Sequence, residues 1–281
     1  MKRTIILITS LALITSCKKK ESTTTGNPMV SLSITSSQNT TPVAFVSIKN
    51  IIKDFFFPEA MASAPPTMLD LNGNTVSLDQ GWMVVKEIEF KATEIPDANE
   101  SDGDEIKFLG PYSVNLFSAS PVQIGSTSLG LSSIQRIKMK LHPSDVVGVG
   151  EPSDLVNNSI YFHGTVGGKM FSFTSTEGTE FEIGGSTALN IRDNMSLILS
   201  IRIVPLINKI DLSALANEAP GVVISDSYKV NVISPPPCPS IDASSSTIYD
   251  CFRKGLEQQA DLGDDSDQSG EIESNEDEIR L

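Results

Sequence analysis

The stretch GWMVVKEIEFKA, from Gly81 to Ala92, alternates apolar and polar side chains and decides the fold class of the chain. One face of this alternation carries Trp82, Val84, Ile88 and Phe90. The opposite face carries Glu87 and Glu89. Because successive side chains of a β-strand point to opposite sides, this period of two predicts a strand with one buried and one solvated face.

Similar short stretches follow one another along the middle of the chain, with glycine and proline between them. Many short alternating strands separated by turn residues are typical of an antiparallel β-sandwich. The sequence therefore predicts a mainly β fold, with a β-sandwich domain over residues 67–236. The strongest apolar run, Met195–Val204, predicts a central strand of that domain.

One of these strands carries a basic stripe. In Ile134–His142 the side chains of Arg136, Lys138 and Lys140 alternate with apolar ones. The stripe could contact an anionic polymer. We prefer cross-strand pairs with the two glutamates of the first strand, because opposite charges on neighbouring strands pair commonly in sheets.

Other elements flank the sandwich. Residues 29–66 predict a strand followed by a short helix, whose apolar side chains recur at helical spacing from Ile48 to Phe56 before Pro58 ends the run. Residues 237–260 predict a second helix, with Thr247 as its N-cap and Asp250 three residues later. Residues 261–281 are predominantly acidic and predict a tail after this helix.

The N-terminus has the pattern of a secretory signal peptide over residues 1–16. Lys2 and Arg3 precede an apolar run that ends at Ile14, and small residues follow. The run is too short to span a bilayer as a permanent helix. The sequence Ile14-Thr15-Ser16-Cys17 resembles the lipobox of exported bacterial lipoproteins, which implies that Cys17 is lipidated.

Residues 17–28 follow as a polar tether between the lipid and the folded domain. Lys18, after the lipidated cysteine, favours the outer membrane over the inner one, and either face of that membrane stays open. The alternative is an ordinary secreted protein with a coincidental cysteine.

The charge balance limits the partners. The chain has 35 acidic and 21 basic residues and a net charge of −14. Nucleic-acid binding needs a basic surface to neutralise phosphates, so we expect no nucleic-acid partner. Electrostatic binding to anionic lipid is disfavoured for the same reason, and we expect membrane association through the N-terminal acyl chains.

The chain has three cysteines. With Cys17 lipidated, Cys238 and Cys251 remain as a pair in an oxidising compartment, and we expect a disulfide bond between them. The bond would staple the second helix to the end of the sandwich domain. Two free thiols are the alternative.

Three stretches together resemble a group of bacterial envelope lipoproteins whose function is unassigned. They are GWMVVKEIEFKA, EIKFLGPYSVNLFS from Glu105 to Ser118, and IQRIKMKLH from Ile134 to His142. The resemblance implies a transthyretin-like or immunoglobulin-like β-sandwich on the cell envelope. It implies nothing about a reaction.

The segment DSDQSGEIESNE, from Asp265 to Glu276, resembles the calcium loop of EF-hand proteins. Gly270 stands at the sixth position, where the loop needs a sharp turn. The implied oxygen ligands are Asp265, Asp267, Ser269, Glu271, Glu273 and Glu276. No second loop is apparent to pair with this one, and a solvated acidic tail is the alternative.

The sequence offers little for catalysis. Its two histidines, His142 and His163, stand outside any HExxH or GxSxG motif, so we expect no enzymatic activity. The predicted function is a binding or structural role at the outer membrane, with a protein or glycan partner. One alternative is a calcium-dependent adhesion or assembly module. The other is an envelope hydrolase, which a deep pocket with a histidine beside a serine or carboxylate would favour.

Overall fold

The structure, a computed structural model, describes residues 27–37, 67–91, 106–118, 120–232, 234–267, 269, 272 and 278–279. Three predictions lie outside these residues and stay predictions: the signal peptide with its lipidated Cys17, the helix before Pro58, and the ligand positions Glu271, Glu273 and Glu276. Within the described part of the chain, no helix is long and apolar enough to cross a bilayer.

The described chain is mainly β, as predicted. In chain order its strands are β1 (Met29–Ser37), β2 (Thr67–Leu69), β3 (Thr75–Lys91), β4 (Ile106–Asn115), β5 (Val122–Ser128), β6 (Ser133–Leu141), β7 (Ile160–Val166), β8 (Lys169–Ser175), β9 (Glu180–Asn190), β10 (Met195–Arg202), β11 (Val222–Ile224), β12 (Ala260–Asp264) and β13 (Glu278–Ile279). Two α-helices, α1 (Ile203–Asn208) and α2 (Ile248–Gln258), accompany them, with 3₁₀ turns at Ser153–Leu155 and Ser213–Asn217.

The strands form two sheets. The smaller has the order β13-β12-β10-β1-β5, and the larger has the order β11-β8-β7-β3-β6-β9 with β2 and β4 also paired to β3. The long strand β3 organises the larger sheet. Its first part pairs with β7 and its second part with β6 along one edge, while β4 pairs along the other.

Both sheets are mixed, so the prediction of antiparallel strands was wrong for two strand pairs. Strand β1 runs parallel to β10, and β11 runs parallel to β8. A tight hairpin imposes antiparallel pairing on strands that follow each other closely. Strands β1 and β10 are far apart in the sequence, so no short turn sets their relative direction.

One continuous apolar core contains side chains from both sheets. Leu32 and Leu197 of the smaller sheet belong to it together with Phe90 and Phe162 of the larger one. Of the run Met195–Val204, predicted as a central strand, residues 195–202 form β10 in the interior of the smaller sheet, and the last two residues begin helix α1. The sandwich arrangement itself stays a prediction.

The face assignment predicted for β3 was wrong at one place. A β-bulge lies between Val85 and Glu87, where the register shifts against both neighbouring strands. An extra residue in one strand reverses the alternation beyond it. Ile88 and Phe90 therefore join the main core, whereas Trp82 and Val84 belong to a separate apolar cluster.

Helix α2 begins after Thr247, whose Oγ1 accepts a hydrogen bond from the Asp250 amide at 3.1 Å. This contact satisfies one of the free amides of the first helical turn. On the buried face of α2, the Phe252 ring stacks on the Phe173 ring with centroids 4.8 Å apart. The sulfurs of Cys238 and Cys251 lie at disulfide distance, and the Cα atoms are 5.8 Å apart.

The segment after α2 differs from the acidic tail predicted to begin at residue 261. Residues 260–264 form β12, an interior strand of the smaller sheet with all five residues buried. Its acids face basic partners: Asp261 lies 2.8 Å from Arg202 Nε, and Asp264 forms an ion pair with Arg192. Buried carboxylates need such partners, because an isolated charge is costly to remove from water.

Candidate functional site

A small apolar cluster covers part of the outer face of the larger sheet, away from the main core. It consists of Val84, Leu155 and Tyr161, with the half-buried Trp82 packed against them. Tyr161 of β7 lies directly opposite Trp82 of β3. The 3₁₀ turn that carries Leu155 therefore closes over this face of the sheet.

A second irregularity of β3 adds polar side chains beside this cluster. The register against β7 shifts between Leu78 and Gln80, so Asp79 is an extra residue in the strand. Such a bulge re-aims side chains, and both Asp79 and Gln80 line the cleft that Trp82 borders. His163 lies opposite Gln80, and its Nδ1 is 2.6 Å from Asp79 Oδ1.

The cleft on this outer face has a volume of about 360 Å³. Strand β3 contributes the side chains of Asp79, Gln80 and Trp82, and the chain at the end of β4 contributes Asn115 and Phe117. Residues 150–152, which lead into the 3₁₀ turn, form the remaining wall. The site thus combines two aromatic rings, two amides and the carboxylates of Asp79 and Glu151.

Backbone contacts hold two of these side chains in place. Asn115 Oδ1 accepts the Phe117 amide at 2.9 Å, which fixes the orientation of the Asn115 amide. Glu151 Oε2 accepts the Gly148 amide at 2.8 Å. Among the hydrogen bonds of the described residues, none uses Asn115 Nδ2 or the side-chain amide of Gln80. These groups are available to a ligand.

The buried phenol under the cleft is electrostatically perturbed. Burial raises the pKa of Tyr161 above its usual value, and the carboxylates of Asp154 and Asp79 raise it further. A hydrogen bond with Ser172 acts in the opposite direction. The phenol is therefore held in its neutral form across the physiological range.

The basic stripe forms the ion pairs predicted for it. The β3–β6 register places Lys140 opposite Glu87 and Lys138 opposite Glu89. Lys140 Nζ lies 2.7 Å from Glu89 and 3.6 Å from Glu87. The hydrogen bond that Lys140 Nζ donates to the Glu89 carboxylate is the main cause of a raised pKa at Lys140, which burial partly opposes.

The other two members of the stripe pair with the strand on its far side. Arg136 lies 2.7 Å from Glu182, and Lys138 lies 3.6 Å from Glu180. Both basic side chains are buried. The stripe is thus neutralised within the sheet, which argues against a surface for an anionic polymer.

The structure describes three of the six ligand positions predicted for calcium. Asp265 is buried, and its amide donates to the Ser196 carbonyl at 2.7 Å. Asp267 and Ser269 are exposed, and Asp267 Oδ1 accepts the Ser269 amide at 2.9 Å. Within the described ranges, no three His, Cys, Asp or Glu side chains are grouped to hold a metal ion. The calcium loop stays a prediction.

The two histidines have different surroundings. His142 is exposed, and its Nδ1 lies 2.9 Å from the Pro143 carbonyl. His163 instead stands beside the cleft through its contact with Asp79. The alternating pattern of β3 predicted Trp82 on the core face, so it did not predict the cleft. No local signal marks the bulge at Asp79 that assembles the site.

Comparison with known proteins found no matching family model, no matching curated protein and no matching solved structure.

Proposed function

We propose that the protein is a cell-envelope lipoprotein with a non-catalytic binding role at the outer membrane, and that its ligand occupies the cleft beside Trp82. The signal pattern and Cys17 support export and attachment to the membrane through lipid. The cleft supports binding, because concave sites with aromatic walls and a few oriented polar groups are typical of ligand sites.

The observation that carries this proposal is the set of polar groups left available around Trp82. The Gln80 amide and Asn115 Nδ2 border the cleft, and no hydrogen bond among the described residues uses them. The bulge at Asp79 supports the same conclusion, since bulges recur beside functional sites.

Trp82 is the only tryptophan in the chain, so its fluorescence reports on the cleft alone. Acrylamide quenching of the purified mature chain is measured with and without a deproteinised cell-envelope extract, so that no other tryptophan contributes to the fluorescence. We expect the extract to protect Trp82, and we expect Gln80→Ala to weaken the protection. The control is Gln123→Ala, which removes an exposed glutamine on β5 that does not line the cleft. Equal quenching with and without extract would exclude binding at the cleft.

Membrane attachment has a separate test. The Cys17→Ser variant is expected to move from the membrane fraction to the soluble fraction, because it has no thiol to carry acyl chains. Retention of the variant in the membrane fraction would contradict lipid anchoring. This outcome is independent of ligand binding.

A hydrolase is the second candidate, and the contact between His163 and Asp79 is the observation that favours it. A carboxylate on Nδ1 orients an imidazole for proton transfer at Nε2. Both side chains are partly exposed, and the described residues place no serine or cysteine nucleophile in a hydrogen bond with His163. Product release from envelope polymers that stops in His163→Asn would replace the binding role with hydrolysis.

A further inference from the structure

We propose that the ligand of the cleft is a neutral saccharide, with a sugar ring lying against Trp82 and its hydroxyl groups bonded to the surrounding amides and carboxylates. This inference rests on the proposed function, since it names the chemical class of the ligand that the cleft would bind.

The aromatic walls provide the first argument. Trp82 is half-buried: part of its ring packs on the cluster with Tyr161, and its side chain also lines the cleft. Phe117 lines the same cleft and packs against the main core. Rings held in this way offer a rigid apolar surface, which suits the apolar C–H face of a pyranose.

The mixture of hydrogen-bonding groups provides the second argument. The amides of Gln80 and Asn115 supply donors, and the carboxylates of Asp79 and Glu151 supply acceptors. A sugar hydroxyl both donates and accepts, so it can use both kinds of group at once. A purely apolar ligand would leave these polar groups desolvated without partners, which is costly.

The charge of the lining provides the third argument. Among the described residues that line the cleft, the charged ones are Asp79 and Glu151, and none is lysine or arginine. A phosphorylated or carboxylated ligand would face like charges at short range, which is unfavourable. The lining therefore selects for neutral sugars over acidic ones.

The polar groups are also oriented before a ligand arrives. His163 holds Asp79, the Phe117 amide holds Asn115, and the Gly148 amide holds Glu151. Side chains fixed in advance lose little freedom on binding, which raises the affinity of a small polar ligand.

The test uses the mature chain and the acrylamide quenching of Trp82. The neutral probes are chitotriose and maltotriose, the anionic probe is trigalacturonic acid, and the cationic probe is choline. Each is added up to about 10 mM, which is tenfold above a millimolar dissociation constant. We expect protection by at least one neutral trisaccharide and none by the anionic one.

The sharpest variant is Asn115→Asp. It keeps the Oδ1 acceptor for the Phe117 amide but removes the Nδ2 donor. We expect roughly tenfold weaker saccharide binding, as for one lost hydrogen bond. The matched control is Asn194→Asp, at an exposed turn outside the cleft, with unchanged binding expected.

The outcomes separate this inference from the proposed function. If envelope extract protects Trp82 but no neutral trisaccharide does, the proposed ligand class is wrong and the binding role stands. Protection by choline alone, or by the anionic trisaccharide, would also contradict the proposal that the ligand is a neutral saccharide. If the extract gives no protection either, both proposals fail. Saccharide protection that is unchanged in Asn115→Asp would exclude the assigned contact.

Discussion

Tyr161 lies directly opposite Trp82 across β7 and β3, and the two side chains share an apolar cluster on the outer face of the larger sheet. Trp82 borders the cleft above this cluster. The buried phenol of Tyr161 therefore links the stability of the cleft wall to pH.

The phenol of Tyr161 should make the protein less stable in alkali. Its folded pKa is raised by burial and by nearby carboxylates, so the folded state holds the proton more tightly than the unfolded state. This contribution to the free energy of unfolding is fully present below about pH 10, the unfolded value, and is lost as the pH rises through the folded pKa.

The measurement is urea unfolding of the parent and of Tyr161→Phe at about pH 8 and about pH 11. We expect the parent to lose more stability than the variant between the two values. At the lower pH, the variant should lose only about 1 kcal/mol, for the hydrogen bond with Ser172. If the parent and Tyr161→Phe lost the same free energy of unfolding between the two pH values, this interpretation would be contradicted.

Substitution at Gly164 should disturb the pairing that positions Asp79. A Cβ at Gly164 would overlap the Ser77 carbonyl oxygen and stand 3.0 Å from Leu78 Cα, so the clash is with backbone. We expect Gly164→Ala to lower the free energy of unfolding by about 2–3 kcal/mol, as for an overpacked core position.

Its control is Gly178→Ala, where the nearest atom would be the Leu141 carbonyl oxygen at 3.5 Å, an ordinary contact. Urea unfolding compares the two variants, and the acrylamide quenching of Trp82 reports on the cleft. Equal stability of the two would show that β3 and β7 can separate at this point without cost.

Removal of the Lys140 charge should destabilise the larger sheet. Lys140 bonds to Glu89, whose side chain is only 4% exposed, so the variant Lys140→Met leaves a buried carboxylate with a weaker set of partners. We expect a loss of about 1–2 kcal/mol, below the value for a fully buried pair because Lys140 itself is about a third exposed.

The control for this change is Lys86→Met, an exposed lysine on β3, the strand that carries Glu89. Thermal or urea unfolding near neutral pH should leave that control close to the parent. Because the folded-state pKa of Lys140 is raised, its contacts contribute fully to the free energy of unfolding below about pH 10, near the unfolded value. This contribution is lost as the pH rises through the folded pKa. If Lys140→Met left the free energy of unfolding unchanged, water or other cations would have replaced the contacts of Lys140.

The disulfide should contribute substantially to stability. Cys238 and Cys251 are separated by 13 residues and are fully buried. For a loop of this length the chain-entropy model gives about 3 kcal/mol. The variant Cys238→Ala/Cys251→Ala should therefore unfold at a clearly lower urea concentration than the parent, and dithiothreitol should shift the parent in the same direction. An unchanged midpoint in both experiments would contradict this expectation.

The sequence by itself determined the features that depend on neighbours along the chain. The alternation in Gly81–Ala92 predicted a strand, and the structure has β3 there. The basic side chains of β6 predicted ion pairs, and the register provides them. These features follow from local period and charge, which the sequence displays directly.

Only the tertiary structure decided which face each residue occupies and what it meets. The bulge beyond Val85 placed Trp82 outside the main core. The bulge at Asp79 brought a carboxylate to the cleft that Trp82 borders. The parallel pairing of β1 with β10 and the burial of Asp261 also depend on distant partners. A bulge and a long-range pairing are set by the balance of contacts between remote segments, and local patterns carry no record of that balance.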